Sequence, residues 1–212
     1  MTTHKIALLA GDGIGPEIMA EAVKVLKLIE ERNSVSFDLQ SALFGACAWF
    51  ETGKSFPDDT IAICDNADAI LKGTIGLSHE ESKQIPVDEQ PERGGLLPMR
   101  RRYQTYANFR PVALPPELAH FSPLRPEIIG DGIDLVIIRE LVGGLYFGSK
   151  ETGINDQGRR YVHEMLEYDE DQIRQVLEVA FKLAMKRKKS LTNVHKSNVL
   201  KSSVLWNEIL DE

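Results

Sequence analysis

The sequence predicts an α/β fold, because short apolar segments alternate with amphipathic ones along the chain. Residues 5–10 form an apolar strand signal, and a glycine-rich turn follows at 11–15. A proline and a glutamate then favour the start of a helix over 16–32. Near the other end, apolar residues recur at helical spacing over 169–189. This alternation predicts a mostly parallel sheet covered by helices.

The other segments of the first half continue the pattern. They are a strand at 36–44, a helix at 58–66, a strand at 67–72, a polar loop at 74–95 and a helix at 96–106. The loop contains two prolines and is long for a compact domain. Ordered loops of such length are often functional, so we expect a binding role there.

The second half has one dominant strand signal, the nearly continuous apolar run at 134–139, which we expect to be central in its sheet. Turns and polar extended residues around 146–168 predict a protruding arm. After the amphipathic helix, the sequence predicts a strand at 190–194 and a further helix from Ser202 onward.

Composition excludes several classes of function. The chain has 212 residues and a formal net charge of -7, which argues against non-specific nucleic-acid binding. No apolar run approaches the ~20 residues of a membrane span. The N-terminal residues run directly into a strand signal without a signal-peptide pattern, so we expect a cytoplasmic protein. The two cysteines lack metal-site spacing and are expected to be reduced.

Three arginines stand in distinctive local settings: Arg100, Arg110 and Arg139. Two of them follow apolar or extended segments that should direct them toward a protein interior. A buried guanidinium needs an anion, and its planar fork matches a carboxylate in two places at once. In an acidic protein, these residues predict a site for a small polycarboxylate.

Motifs along almost the whole chain resemble the isocitrate/isopropylmalate dehydrogenase family, and the isopropylmalate-oxidising members most closely. They are GDGIGPE at 11–17, LLPMR at 96–100, YANFRP at 106–111, SPLRPE at 122–127, IREL at 138–141, GGLYFG at 143–148 and HKSNVL at 195–200. The resemblance implies that family's two-domain fold, which differs from the usual Rossmann fold, incomplete at its C-terminus. It implies that 1–105 begin a cofactor-side domain and that 106–212 form part of a substrate and dimerisation domain.

The resemblance also implies site residues. Arg100, Arg110 and Arg139 match arginines that hold the substrate carboxylates. Tyr146 matches the tyrosine that protonates the enol after carbon dioxide leaves. Lys196 matches a lysine that helps to remove the hydroxyl proton and that comes from the partner subunit, so a homodimer is expected.

Leu96 and Leu97 match apolar positions that face the alkyl branch of isopropylmalate. Burying an isopropyl group there is worth roughly 2 kcal/mol, whereas burying an unpaired third carboxylate would be prohibitive. This contrast favours 3-isopropylmalate, oxidised and decarboxylated in leucine biosynthesis, over isocitrate. Tartrate, malate and homoisocitrate stay open, because enzymes acting on them share much of the pattern.

The implied cofactors are NAD and a divalent metal, Mg²⁺ or Mn²⁺. Ile14, Gly76, Glu92 and Asn198 match positions near the nicotinamide. The assignment of Glu92 is weakened by the unusual loop sequence at 77–80 and by a longer step to the first arginine.

The family's metal-binding aspartates would lie beyond Glu212, so no metal ligand is assigned and the isolated chain is expected to be inactive. The alternative of another class is a non-catalytic fragment or regulatory subunit that binds a carboxylate or pairs with a full-length relative.

Overall fold

A computed structural model describes residues 2–212 of the chain. The chain divides into two compact units, the first ending at Arg102 and the second running from Tyr103 to Glu212. The boundary expected from the sequence, between residues 105 and 106, is close to this division. The cofactor and substrate roles expected of the two parts stay predictions.

The first unit is an α/β structure built on a small parallel sheet. Its strands and helices are β1 (Thr2–Gly11), α1 (Gly15–Arg32), β2 (Val35–Ser41), α2 (Ala46–Thr52), α3 (Asp58–Asp65), β3 (Ala69–Thr74), α4 (His79–Ser82) and α5 (Leu97–Arg102). The strand order is β2-β1-β3, with both pairings parallel. The predicted α/β class is therefore confirmed.

β1 is the central strand of this unit and supplies much of its core. Ala7 and Leu9 are fully buried, and Phe44 is buried beside the same sheet. α1 begins with a proline in its first turn and Glu17 nearby, as expected from the favourable effect of both at a helix start. The glycine-rich turn thus connects a buried strand directly to a long helix.

Three details of the first unit differ from the predictions. Helix α2 was not predicted, because a glycine precedes it and no local side chain caps it. The predicted loop at 74–95 contains α4, which a Ser78–Glu81 capping box starts, a 3-10 turn and a π-helical turn at Pro91–Leu96. The next helix ends at Arg102 rather than near residue 106.

The second unit contains two antiparallel strand pairs and two longer helices. Its elements are β4 (Ala107–Leu114), α6 (Pro126–Ile129), β5 (Ile133–Glu140), β6 (Lys150–Ile154), β7 (Arg160–Glu164), α7 (Glu170–Lys186) and α8 (Lys201–Asp211). β4 pairs with β5, and β6 pairs with β7 in a hairpin within the segment expected to form an arm. Asp169 caps α7 through a reciprocal bond with Gln172.

The helices of this unit form its apolar core. Ile173 and Leu177 of α7 and Ile209 of α8 are buried together, with Trp206 packed against them. The ring of Tyr168 meets Trp206 edge to face at 5.7 Å. This packing holds the start of α7 beside the end of α8.

The sheet predictions for the second unit were wrong in three respects. Its strands pair antiparallel, so the mostly parallel sheet exists in the first unit alone. β5, expected to be central, pairs with β4 as its single neighbour within residues 2–212, and β4 itself was missed because Pro111 interrupts its pattern. Residues 190–194 belong to no helix or strand in the described chain.

Candidate functional site

The register of β4 and β5 determines where two of the predicted arginines lie. Arg110 stands opposite Ile137, and Arg139 stands opposite Asn108. Opposite residues of an antiparallel pair share a face, so Arg110 and Arg139 project from the same face. The two residues are diagonal neighbours. The backbone positions of such neighbours are about 7 Å apart, which is within reach of long side chains.

Arg139 makes a direct bond to the predicted catalytic tyrosine. Its Nη2 donates to the phenol oxygen of Tyr146 at 3.0 Å, and its guanidinium carbon lies 5.5 Å from the centre of the tyrosine ring. A guanidinium offers several charged donors to an anion. The pair therefore presents a guanidinium and a phenol hydroxyl side by side.

Glycines and one carboxylate shape the turn that presents Tyr146. Gly144 has a φ of 70°, and a Cβ there would lie 2.6 Å from the Tyr168 hydroxyl. The Glu140 carboxylate accepts bonds from the backbone N–H groups of Val142 and Gly143. Burial raises the pKa of Tyr168, and the neighbouring Glu140 adds to the effect. The turn thus packs tightly against the start of α7.

Lys150 closes the same turn from its other side. Its Nζ donates to the carbonyl oxygens of Leu145 at 2.9 Å, Tyr146 at 3.1 Å and Gly148 at 3.3 Å. The carbonyls at the end of such a short turn have few partners within the turn itself. One ammonium group therefore satisfies the backbone on both sides of Tyr146.

Arg139 and Tyr146 line a cleft of about 1010 Å³ in the second unit. One wall of the cleft consists of residues 134–140 of β5. The opposite lining comes from α7, α8 and residues 190–195. The expectation that the arginines point to an interior is wrong for Arg110 and Arg139, which are exposed. The reason is the strand face they occupy, since Ile137 on that face is also 53% exposed.

Arg100 belongs to the first unit, where it is half-buried in α5. Burial and then the charge of Arg100 lower the pKa of Lys72, an effect that Asp12 opposes. Lys72 was missed by the sequence predictions, although a single lysine in an apolar strand is an unusual signal. Leu97 is also half-buried, at the point where the π-helical turn becomes α5, and Leu96 precedes it with similar exposure.

Three of the predicted nicotinamide-side residues lie in the first unit. Ile14 is 57% exposed. A Cβ built at the preceding Gly13 would meet no atom within 4 Å, so the outer surface of this turn is open. A Cβ built at Gly76 would lie 3.6 Å from Oε1 of Glu92, so these two residues are close neighbours.

Lys196 and the fourth nicotinamide-side residue, Asn198, are exposed in the turn before α8. The Lys196 backbone N–H donates to the Ser203 hydroxyl at 3.1 Å, and its carbonyl accepts from Leu200 at 2.9 Å. His195, just before them, lines the cleft, whereas Lys196 and Asn198 lie outside its lining. The described residues therefore do not bring Lys196 to the pair of Arg139 and Tyr146.

Within residues 2–212, no three histidine, cysteine or acidic side chains are grouped so as to hold a metal ion. In the same part of the chain, no helix is both long and apolar enough to span a lipid bilayer.

The sequence comparisons agree with the motifs. The family model for isocitrate/isopropylmalate dehydrogenase matches residues 5–212. A 3-isopropylmalate dehydrogenase from Carboxydothermus hydrogenoformans is 45% identical over 208 residues, which are 98% of this chain and 55% of the relative. One from Haemophilus influenzae is 42% identical over 212 residues, 100% of this chain and 59% of the relative.

The structural comparison gives the same result. An isocitrate dehydrogenase from Methylococcus capsulatus matches with a TM-score of 0.76 and 28% identity, covering 98% of this chain and 56% of its own. The TT0538 protein from Thermus thermophilus matches with a TM-score of 0.71 and 27% identity, covering 98% of this chain and 38% of its own. The chain spans little more than half the length of the curated relatives it matches. With a family match over nearly every residue and the same fold, the chain belongs to the isocitrate/isopropylmalate dehydrogenase family.

Proposed function

We propose that the chain forms part of an NAD- and divalent-metal-dependent enzyme that oxidises and decarboxylates 3-isopropylmalate in leucine biosynthesis. The single observation that supports this most is the bond from Arg139 to the hydroxyl of Tyr146, with Arg110 on the same strand face. The named relatives, at 42–45% identity, favour the same substrate.

The arginines supply the carboxylate-binding part of the proposal. Two guanidinium groups that project from diagonal positions on one face of a strand pair can hold the two ends of a small dicarboxylate. The family resemblance assigns Arg100, in the first unit, to carboxylate binding as well. A 2-hydroxy acid with two carboxylates carries acceptors that suit guanidinium donors.

Tyr146 supplies the proton in the proposed reaction. Loss of carbon dioxide from the oxidised substrate leaves an enolate, whose carbon takes one proton to give the ketone product. The Arg139 donor stabilises the phenolate that remains after the Tyr146 proton has moved. Lys196 would remove the substrate hydroxyl proton in the site of the partner subunit, so the proposal includes a homodimer. The proposed location of the enzyme is the cytoplasm.

Substrate choice would depend on Leu96 and Leu97. Both are half-buried, so each has apolar surface left to cover an alkyl branch. A branch of this size gains roughly 2 kcal/mol from burial, which is about thirtyfold in affinity. Malate and tartrate have no such branch and would lose this gain.

The first unit fits the nicotinamide side of NAD. The turn at Ile14 is open, and Gly76 and Glu92 are neighbours. NAD, when bound, accepts the hydride from the hydroxyl-bearing carbon of the substrate. Ile14, Gly76 and Glu92 would hold the nicotinamide and limit the access of water to it.

The divalent metal is a different matter, because the described residues offer no ligand set for it. The metal enters the proposal through the family alone. We therefore assign it no residue here. For the same reason we expect the 212-residue chain alone to form no NADH from isopropylmalate, NAD and magnesium in a spectrophotometric assay.

Isotope-edited NMR titration of the 212-residue chain tests the carboxylate site without requiring turnover. Adding 3-isopropylmalate should shift the signals of Arg139 and Tyr146. Arg139→Gln should weaken binding at least about tenfold, because a charge-assisted bond to the carboxylate is lost. Arg160→Gln, which changes an exposed arginine of the hairpin, is the matched control and should leave binding unchanged.

Parallel titrations with malate, tartrate and homoisocitrate test the substrate. 3-Isopropylmalate should bind the most tightly of the four. Equal binding of all four would contradict the role of Leu96 and Leu97, and no response to any of them would contradict the carboxylate site itself.

A further inference from the structure

The turn after β1 contains an acidic residue that is almost completely buried. Asp12 is 5% exposed, and it is one of three buried polar residues in the described chain, with Ser55 and Thr60. A buried carboxylate is costly unless hydrogen bonds replace the water it has lost. The partners of Asp12 therefore indicate what it does.

The Asp12 carboxylate binds backbone N–H groups from two distant segments. Its Oδ2 accepts from Ala46 at 2.9 Å and from Gly76 at 3.0 Å, and its Oδ1 accepts from Cys47 at 2.8 Å. Ala46 and Cys47 begin α2, whereas Gly76 follows β3. One side chain thus connects three segments that are far apart in sequence.

The backbone of Asp12 strengthens the same connection. Its N–H donates to the Thr74 carbonyl at 2.8 Å, and its own carbonyl accepts from the Thr74 hydroxyl at 3.0 Å and from the Gly15 N–H at 2.9 Å. A Cβ at Gly45 would lie 2.5 Å from Oδ2 of Asp12, so that glycine leaves the space that the carboxylate occupies. The turn and the end of β3 are therefore held at a fixed spacing.

The groups fixed in this way are those assigned to the nicotinamide side. Ile14 lies two residues after Asp12 in the same turn. The Gly76 backbone N–H donates a hydrogen bond to the Asp12 carboxylate. Glu92 is in turn a close neighbour of Gly76. A change at Asp12 would alter the separation of Ile14 from Gly76 and Glu92.

We propose that Asp12 is a positioning residue that holds the Ile14 turn and the Gly76 loop at the separation needed to bind the nicotinamide. This inference rests on the proposed function, because the separation of the turn and the loop matters for binding only if the first unit holds the nicotinamide. Asp12 acts through Ile14 and Gly76, and contact with the cofactor is made by them.

Two substitutions and one control test the inference in the 212-residue chain. In Asp12→Asn, whichever way the amide group turns, its NH₂ faces at least one backbone N–H, so at least one bond is lost. Gly45→Ala leaves Asp12 in place but pushes on its carboxylate. Asp59→Asn, at an exposed position of α3, is the matched control.

Amide hydrogen exchange gives the first readout. We expect at least tenfold faster exchange at Gly76, Ala46 or Cys47 in Asp12→Asn, with α1 and β2 unchanged. Gly45→Ala should affect the same amides. Unchanged exchange at all three amides in Asp12→Asn would overturn the inference.

The Cys47 thiol gives an independent readout of the carboxylate. Burial raises the pKa of Cys47, and the negative charge of Asp12 adds to this effect. Removing the charge should therefore move the pH profile of Cys47 alkylation to lower pH. A profile that stays in place would contradict close contact between the two groups.

Binding of nicotinamide mononucleotide, followed by NMR, separates the inference from the function it rests on. The probe should shift the Ile14 and Gly76 signals of the unaltered chain, with at least fivefold weaker binding in Asp12→Asn. Equal binding by both would overturn the positioning role and leave the proposed function intact. No response in the unaltered chain would instead contradict the nicotinamide site, and the positioning role with it.

Discussion

The two candidate sites, one in each unit, are held in place by different means. In the first unit, a carboxylate that is 5% exposed binds three backbone amides, and glycines allow the segments to lie in contact. In the second unit, Arg139 and Tyr146 are exposed and are fixed by a side-chain bond and a lysine cap. The first arrangement is part of the core, whereas the second is built on the surface of a strand pair. Substitutions should therefore affect stability in the first and binding in the second.

Gly11→Ala should have the largest effect of the substitutions considered. Gly11 has a φ of 78°, and a Cβ there would lie 1.9 Å from the Thr74 carbonyl oxygen. Backbone strain and the clash together should lower the free energy of unfolding by at least about 3 kcal/mol. Gly53→Ala has a similar φ of 80° and open space, so it isolates the strain alone and should cost about 1 kcal/mol. Urea denaturation measures the free energy of unfolding of both variants. Equal losses in the two would show that the clash with the Thr74 carbonyl oxygen is relieved.

Gly144→Ala tests the corresponding turn of the second unit. Its Cβ would meet the Tyr168 hydroxyl, a side-chain atom that can move, rather than backbone. We expect a loss of about 1–2 kcal/mol in the free energy of unfolding, less than for Gly11→Ala. Gly158→Ala, with a φ of 73° and no atom nearby, is the control. A loss as large as that of Gly11→Ala would contradict the contrast between the units.

Lys72→Met should stabilise the first unit, by less than about 1 kcal/mol. Burial and Arg100 lower the pKa of Lys72 below its ordinary 10.5 in the folded state. The unfolded chain therefore binds more protons between the two pKa values, so stability rises with pH through that window. The substitution should remove this rise and increase stability at pH 7. Urea denaturation at a series of pH values measures it, and a pH slope identical to that of the unaltered chain would refute the assignment.

Lys150→Ala should have the smallest effect on stability, below about 0.5 kcal/mol, because the lysine is exposed. Its effect should instead be local, since three carbonyl oxygens around Tyr146 lose their donor. We expect broadened or shifted Tyr146 ring signals by NMR, with the α7 signals unchanged. Lys182→Ala, which removes an exposed helix lysine, should leave the Tyr146 signals as they were.

Local signals in the sequence predicted the long elements correctly. α1 and α7 have helical periodicity with favourable first turns, and β1 has a continuous apolar run. α2 was missed because the residue that binds its first amides is Asp12, 34 positions away, which no local pattern can indicate. β4 was missed because a proline stands in its middle, which favours the interpretation of a turn or loop.

The site shows the same division between local and long-range information. The motifs predicted Arg110 and Arg139 as site residues, but the placement of these two arginines on one face depends on strand register, which the sequence leaves open. The expectation of buried arginines failed because an apolar strand was assumed to be covered on both faces. Asp12 lies within the predicted glycine-rich turn and was given no role of its own, because its partners come from distant segments of the chain.

The pairing of Arg110 with Ile137 limits how this region can change length during evolution. Insertions or deletions between Leu114 and Ile133 fall in the connection and leave both guanidinium groups where they are. A single residue gained or lost within β4, between the chain entry and Arg110, would turn that side chain to the opposite face. Natural or engineered variation in length should therefore be tolerated in the connection and excluded from the strands.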